Sequence, residues 1–222
     1  MKHAVAVANG TAALHAACWA AGLGPGDEVI TTPPTFAATA NAVVYQGAQP
    51  VFADVDGATL NVSPNAVKRA PTSRTRALLP VDFAGLPCEC DRLLPLTREH
   101  GWTVIADAAH SFGGASGGRR VGALADPTTL AVDPVKLITT GEGGAVLTDR
   151  DDLTERLRAM RHHGIGYVDV LRRAVRLRRG ALPDRRRDGG RLVTRPLFPA
   201  MTEGDQDDVL HALDKVFTHY AR

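Results

Sequence analysis

The chain has 222 residues, 44% of them hydrophobic but only 5% aromatic, with 22 glycines and a formal net charge of +2. That length holds one sizeable α/β core, with or without a small appendage, and the Ala-, Val- and Gly-rich make-up suits tight turns between buried strands. Fibrous classes are excluded, no apolar run approaches the ~20 residues that a transmembrane helix needs, and no secretory leader pattern opens the chain, so the expected location is cytoplasmic.

From residue 4 to about 160, short apolar runs alternate with amphipathic segments, the pattern of successive βα units. Strands are predicted over 4–8, 28–31, 50–55, 77–81, 103–106, 128–132 and 145–148, with helices over 11–21, 35–46, 63–69, 89–99 and 151–162. Gly22, Gly47 and Gly101 stand where three of those helices stop and a positive φ is wanted, and Ser63-Pro64 puts a cap before a proline at the first helical position. Cys18, Cys88 and Cys90 are an odd number without metal-type spacing, and the adjacent His162 and His163 diverge by about 100° around a helix, so no metal site is expected.

Residues 171–195 depart from this pattern. They hold ten arginines and two aspartates, a local charge of +8, with no clean period, and read as a linker or insertion. Arginines can bind nucleic-acid phosphates, but no aromatic residue interleaves with them, so nucleic acid is not the expected partner and polyanion binding is a lesser alternative. A helical period resumes over 205–220, with Val209, Leu210, Leu213, Val216 and Phe217 on one face.

Several positions carry chemistry. Asn9-Gly10-Thr11-Ala12 lies where a strand turns into a helix: free N–H groups and the Thr11 hydroxyl make an anion site there, although the same residues read equally as a plain helix cap. Phe36, at a strand-to-helix junction, could stack on a planar ligand or pack in the core. Asp107 ends the 103–106 strand, where a carboxylate points into the crevice that α/β sheets use for ligands, or else caps a helix. An ionised carboxylate of this kind can keep a pyridine nitrogen protonated. His110 either faces the same crevice or is a satisfied buried histidine. Lys136, between the Pro134 turn and Gly141-Glu142-Gly143-Gly144, is a surface lysine or one held firmly enough to form a Schiff base.

The ordered series Asn9-Gly10-Thr11, Thr35-Phe36-Ala37-Ala38-Thr39-Ala40-Asn41, Asp107-Ala108-Ala109-His110 and Asp133-Pro134-Val135-Lys136 with Thr139-Thr140-Gly141-Glu142-Gly143-Gly144 resembles the DegT/StrS-type aminotransferases of nucleotide-sugar biosynthesis. Within that family the run from 134 to 148 is most similar to the UDP-4-amino-4,6-dideoxy-N-acetyl-β-L-altrosamine transaminases. The likeness covers about residues 3 to 165, and again 192 to 218 around Arg195-Pro196-Leu197-Phe198-Pro199. It implies a fold-type I, pyridoxal-phosphate-dependent α/β enzyme with a mixed seven-stranded sheet, working as a homodimer. Lys136 would then hold the cofactor and shuttle a proton, Asp107 would pair with the ring nitrogen and His110 would approach the ring hydroxyl. Phe36 would stack on the ring, and Thr11 with the Ala12 N–H would bind the phosphate. Glutamate would be the amino donor and a UDP-linked 4-keto sugar the acceptor. The implied domains are a cofactor-binding large domain over 1–165, an Arg-rich irregular segment over 166–191, and a remnant of the C-terminal domain with its terminal helix over 192–222.

Four departures stand beside the likeness. Ala131 takes the place of a phosphate-binding serine five residues before the lysine, and Asp133 puts a carboxylate three residues before it. The family's N-terminal helices are expected to be absent. Its partner-reaching Gly-Tyr-Asn-Tyr-Arg region is expected to be replaced by the Arg-rich segment, whose composition resembles an out-of-frame reading of a GC-rich gene. A family remnant that folds without turnover is the alternative function.

Overall fold

The computed structural model describes residues 1–162; the Arg-rich segment, the 192–222 region, its helix over 205–220 and His163 lie outside the described residues. In chain order the elements are β1 (His3–Val7), α1 (Gly10–Ala20), β2 (Glu28–Thr31), α2 (Ala37–Val44), β3 (Gln49–Phe52), α3 (Pro64–Arg69), β4 (Thr75–Leu78), a 3-10 turn (Phe83–Gly85) and α4 (Cys90–His100). They continue with β5 (Thr103–Val104), β6 (Ala106–Asp107), β7 (Ala115–Ser116), β8 (Arg119–Arg120), β9 (Thr128–Ala131), β10 (Gly144–Thr148) and α5 (Asp151–Arg161).

Two four-stranded ladders, β1-β10-β9-β6 and β3-β2-β4-β5, share the run 103–107. The Ile105 N–H donates to the Leu78 carbonyl at 2.9 Å and the Asp107 N–H to the Pro80 carbonyl at 2.9 Å, while Val81 bridges Asp107 in parallel. The ladders therefore join into a mixed, mostly parallel sheet of seven strands, with β5 and β6 acting as one strand between β4 and β9. Strand β10 runs antiparallel to both its neighbours, β1 and β9. This is the fold expected from the resemblance.

Both faces of the sheet are covered, as a parallel sheet requires. Successive residues point to opposite faces, so Val29 joins the cluster with Leu14, Ala42 and Leu157, whereas Ile30 joins the one with Val67 and Leu93. Helices α1, α2 and α5 thus lie on one face and α3 and α4 on the other. Ala13, Ala16, Ala17 and Ala20 are all buried along α1, and these short side chains let the helix approach the strands closely. Glu28, at the start of β2, is 3% exposed yet satisfied by Arg74 and by the Thr72 hydroxyl, which holds its carboxyl below the usual range together with the Arg74 hydrogen bond.

Several expected boundaries shift for local reasons. The predicted strand over 50–55 stops at Phe52 because its partner β2 stops at Thr31; Val55 makes only an isolated bridge to Val62. The helix predicted from residue 35 starts at Ala37, since Phe36 is still extended after the Pro33-Pro34 turn. The hairpin of β7 and β8, turned by Gly117 and Gly118 at φ 55° and 74°, was not foreseen. Gly101 closes α4 at φ 67°, as expected of a left-handed cap.

Gly144 matters for the cavity end of the sheet. A Cβ there would collide with the Asn9 carbonyl, which accepts the first bond of α1 from the Ala13 N–H at 3.0 Å. Gly144→Ala is therefore expected to lower stability by about 1–3 kcal/mol. Gly57→Ala, with nothing within 4 Å of the added carbon, should stay within about 0.5 kcal/mol of the parent. Urea denaturation of both variants checks the contrast.

Candidate functional site

A cavity of about 540 Å³ opens at the C-terminal ends of the parallel strands, the position at which open α/β sheets bind ligands. Four connections feed it. The β1–α1 turn brings Thr11, the β2–α2 turn brings Phe36, the end of β6 brings Asp107 and His110, and the loop from β9 to β10 brings Lys136. Five of the six residues singled out from the sequence line this one space. The sixth, Ala12, does not: its N–H donates to the Asn9 side chain at 2.8 Å, so the expected phosphate donor is already taken by a helix cap. The Gly10 and Thr11 N–H groups, in the first turn of α1, have no partner within the helix.

Asp107 is buried, 5% exposed, and its two oxygens take separate donors. Oδ2 accepts from the Thr39 hydroxyl at 2.8 Å and Oδ1 from the Ala109 N–H at 3.2 Å. The Thr39 hydroxyl also meets that of Thr35 at 2.7 Å, so a short hydroxyl chain runs from the cavity wall to the carboxylate. Burial pushes the Asp107 carboxyl above its ordinary value. The Thr39 and Ala109 hydrogen bonds and the charges of His110 and Lys136 pull in the other direction.

The open alternatives at the other positions divide clearly. Phe36 is not core: it is 73% exposed, at the cavity rim. His110 is half-buried and faces the cavity rather than being sealed in the core. Lys136 is half-buried, and its loop is tied down by the Lys136 N–H to the Asp133 carbonyl and the Thr140 N–H to the Val132 carbonyl, both at 3.0 Å. Gly141 and Gly143 take φ of 84° and 149° there, so the glycine-rich run supplies backbone shapes that other residues resist. Asp133 lines the same cavity as the lysine. Ala131 packs against the first turn of α1, where a Cβ built on Gly10 would come within 2.6 Å of its own.

Thr39 and Thr35 stand in the 35–41 motif, but the sequence assigns neither a role. The available signal was a threonine inside an otherwise Ala- and Val-rich helix, since a buried hydroxyl needs a partner. Nothing in local spacing, however, pointed to a carboxylate 68 residues away.

The donor set suits a flat, anionic, nitrogen-bearing ligand. A helix N-terminus with unpaired N–H groups and a hydroxyl can take a phosphate, a buried carboxylate can hold a proton on a ring nitrogen, an exposed aromatic can cover a ring, and a held amine can bond to a carbonyl carbon. The residues present fit pyridoxal phosphate. Among the described residues no cluster of His, Cys, Asp or Glu could hold a metal ion, and no helix is long and apolar enough to cross a membrane.

Comparison with known proteins agrees with this chemistry. The model of the DegT/DnrJ/EryC1/StrS aminotransferase family matches residues 1–181, running past residue 165 into the Arg-rich segment. The spore coat polysaccharide biosynthesis protein SpsC of Bacillus subtilis is 45% identical over 164 residues, covering 74% of this chain and 42% of that protein. The GDP-perosamine synthase of Caulobacter vibrioides is 44% identical over 165 residues, covering 74% of this chain and 44% of that one. Among solved structures, DesI in the presence of its TDP-sugar product superposes with a TM-score of 0.73 at 42% identity, over 76% of this chain and 43% of that chain. The chain thus spans less than half the length of the relatives it matches.

The raised Asp107 carboxyl has a consequence for stability. An acid whose folded pKa exceeds its unfolded value favours the fold below about pH 4 and loses that contribution as pH rises through the folded pKa. Asp107→Asn removes the titration while keeping the shape. Without cofactor, the melting temperature of the variant minus that of the parent should therefore rise as pH goes from 4 to 8. A difference that is flat or falling with pH would contradict the burial argument.

Proposed function

The chain belongs to the DegT/DnrJ/EryC1/StrS aminotransferase family, and on that premise we propose that it binds pyridoxal phosphate at Lys136 and moves an amino group from glutamate to a UDP-linked 4-keto sugar. Members of the family depend on pyridoxal phosphate. The observation that carries the proposal is the convergence of Lys136, Asp107, His110, Phe36 and Thr11 on one cavity from four separate connections. Of the relatives named above, one is a GDP-perosamine synthase and another, DesI, has a TDP-sugar product; UDP as the nucleotide here rests on the resemblance of residues 134–148.

When bound, the cofactor supplies an electron sink for the carbon that loses or gains the amino group. The chain's residues do the rest. Thr11 and the first N–H groups of α1 would bind the phosphate, those of Gly10 and Thr11 being the ones without a partner in the helix. The Asp107 carboxylate, aimed by Thr39 and the Ala109 N–H, holds a proton at the ring nitrogen. Phe36 covers the ring face and shields it from water, and His110 orients the ring hydroxyl. The Lys136 amine would hold the cofactor through its nitrogen, and the same nitrogen would carry a proton to and from the substrate carbon.

A homodimer is part of the same proposal. Phe36 and Val135 line the cavity at 73% and 84% exposure, Leu137 and Ile138 follow in the Lys136 loop at 72% and 49%, and exposed apolar side chains of this kind favour a protein partner. A second copy of the chain is the partner expected, and sedimentation that finds only monomer at every concentration would remove it. A cytoplasmic setting accords with three buried free thiols, Cys18, Cys88 and Cys90.

Adding pyridoxal phosphate to the full chain should give a visible absorption band that Lys136→Ala abolishes, and borohydride should fix the cofactor mass on the Lys136 peptide. No such adduct would sink the reading. In the same titration Ala131→Ser, which restores a hydroxyl beside Gly10, should tighten binding by one to two decades, since a hydrogen bond to a charged group is worth roughly 1.5–3 kcal/mol.

A further inference from the structure

A second buried carboxylate lies behind the site, outside the cavity. Asp82 follows β4 and is 5% exposed. Its Oδ2 accepts from the Ser111 hydroxyl at 2.5 Å and its Oδ1 from the Cys88 N–H at 2.8 Å. Its own N–H donates to the Asp107 carbonyl at 3.0 Å. Ser111 is 1% exposed and closes the turn that carries His110, with its N–H on the Ala108 carbonyl at 3.1 Å and its carbonyl accepting from the Gly114 N–H at 2.8 Å. The loop from Asp82 to Cys88 also touches the back of His110: a Cβ at Gly85, whose φ is 91°, would stand 3.2 Å from the His110 carbonyl.

We propose that Asp82 is a positioning residue for Asp107 and His110, acting through Ser111 and through its own backbone. The side chain ties two connections that the sheet alone leaves independent, the one after β4 and the one after β6. Its backbone holds Asp107 from one side, while its carboxylate stops the His110 turn from swinging away from the sheet. Burial pushes the Asp82 carboxyl up, the Ser111 and Cys88 hydrogen bonds oppose that shift, and the charge of Asp107 adds to it. A carboxylate held in such a place needs both donors, so its geometry is strict.

The role is readable without cofactor. In the full cofactor-free chain, the ring signal of His110 in a proton–carbon correlation spectrum is identified by its loss in His110→Gln. Ser111→Ala and Asp82→Ala should displace that signal while leaving those of His15 and His100 in place. Asp82→Asn should return it, because a carboxamide can accept from the Cys88 N–H and donate to the Ser111 hydroxyl. If Asp82→Ala does not fold, Ser111→Ala alone carries the test. An unmoved His110 signal in Ser111→Ala, or an Asp82→Asn spectrum like that of Asp82→Ala, would overturn the proposal.

A second arm rests on the cofactor reading above: pyridoxal phosphate affinity should fall about tenfold in Ser111→Ala, as when an outer hydrogen bond behind a ligating group is removed. Unchanged affinity in a chain that does bind the cofactor would also count against the role of Asp82. A parent chain that shows the His110 displacement in its variants but no adduct on Lys136 would sink the functional reading and leave the positioning role standing.

Discussion

The strand that ends in Asp107 is the constraint on which the site depends. It is the seam between two ladders: β4 pairs with its first half and β9 with its second. A residue at the end of such a seam receives backbone from both sides, and Asp107 does so from Pro80, Asp82 and, through the next residue, Thr129. Removing an ionised carboxylate from water is costly unless donors replace the lost hydration. Here the Thr39 hydroxyl and the Ala109 N–H supply them, so the helix after β2 and the turn after β6 are bound into one arrangement around a single side chain.

Much of this could be read from the residues, for physical reasons that differ by element. Strands β2, β9 and β10 are buried between helix layers and show as short apolar or β-branched runs. Helix α1 announces itself through its alanines and the Asn9 cap. The β7–β8 hairpin has strands of two residues, too short to show a period, although its paired glycines are a turn signal. Phe36 illustrates a different limit: an aromatic near an apolar helix reads as core, and only the proline turn before it, which delays the helix, puts it at the rim.

Within the site, strand ends made Asp107 legible and the glycine-rich loop made Lys136 legible. The supporting shell was not. Thr39 reaches a carboxylate 68 residues away and Ser111 one 29 residues away, and such pairs follow from tertiary packing rather than from local pattern. Ala12 shows a different limit, its N–H being bonded to the Asn9 side chain. A helix N-terminus offers several N–H groups, and which of them stays free depends on where the Asn9 side chain turns, a choice of rotamer that composition does not reveal.

Strand β10 is the one member of the sheet whose direction is reversed relative to both neighbours. A parallel strand would oblige the chain leaving β9 to travel the length of the sheet and come back through a crossover before pairing again. The reversal cancels that journey. Residues 132–143 enter and leave at one end of the sheet, anchored at Ala131 and Gly144, so the segment bearing Lys136 is a bridge with both abutments on the same bank. Its length can change while every strand keeps its register.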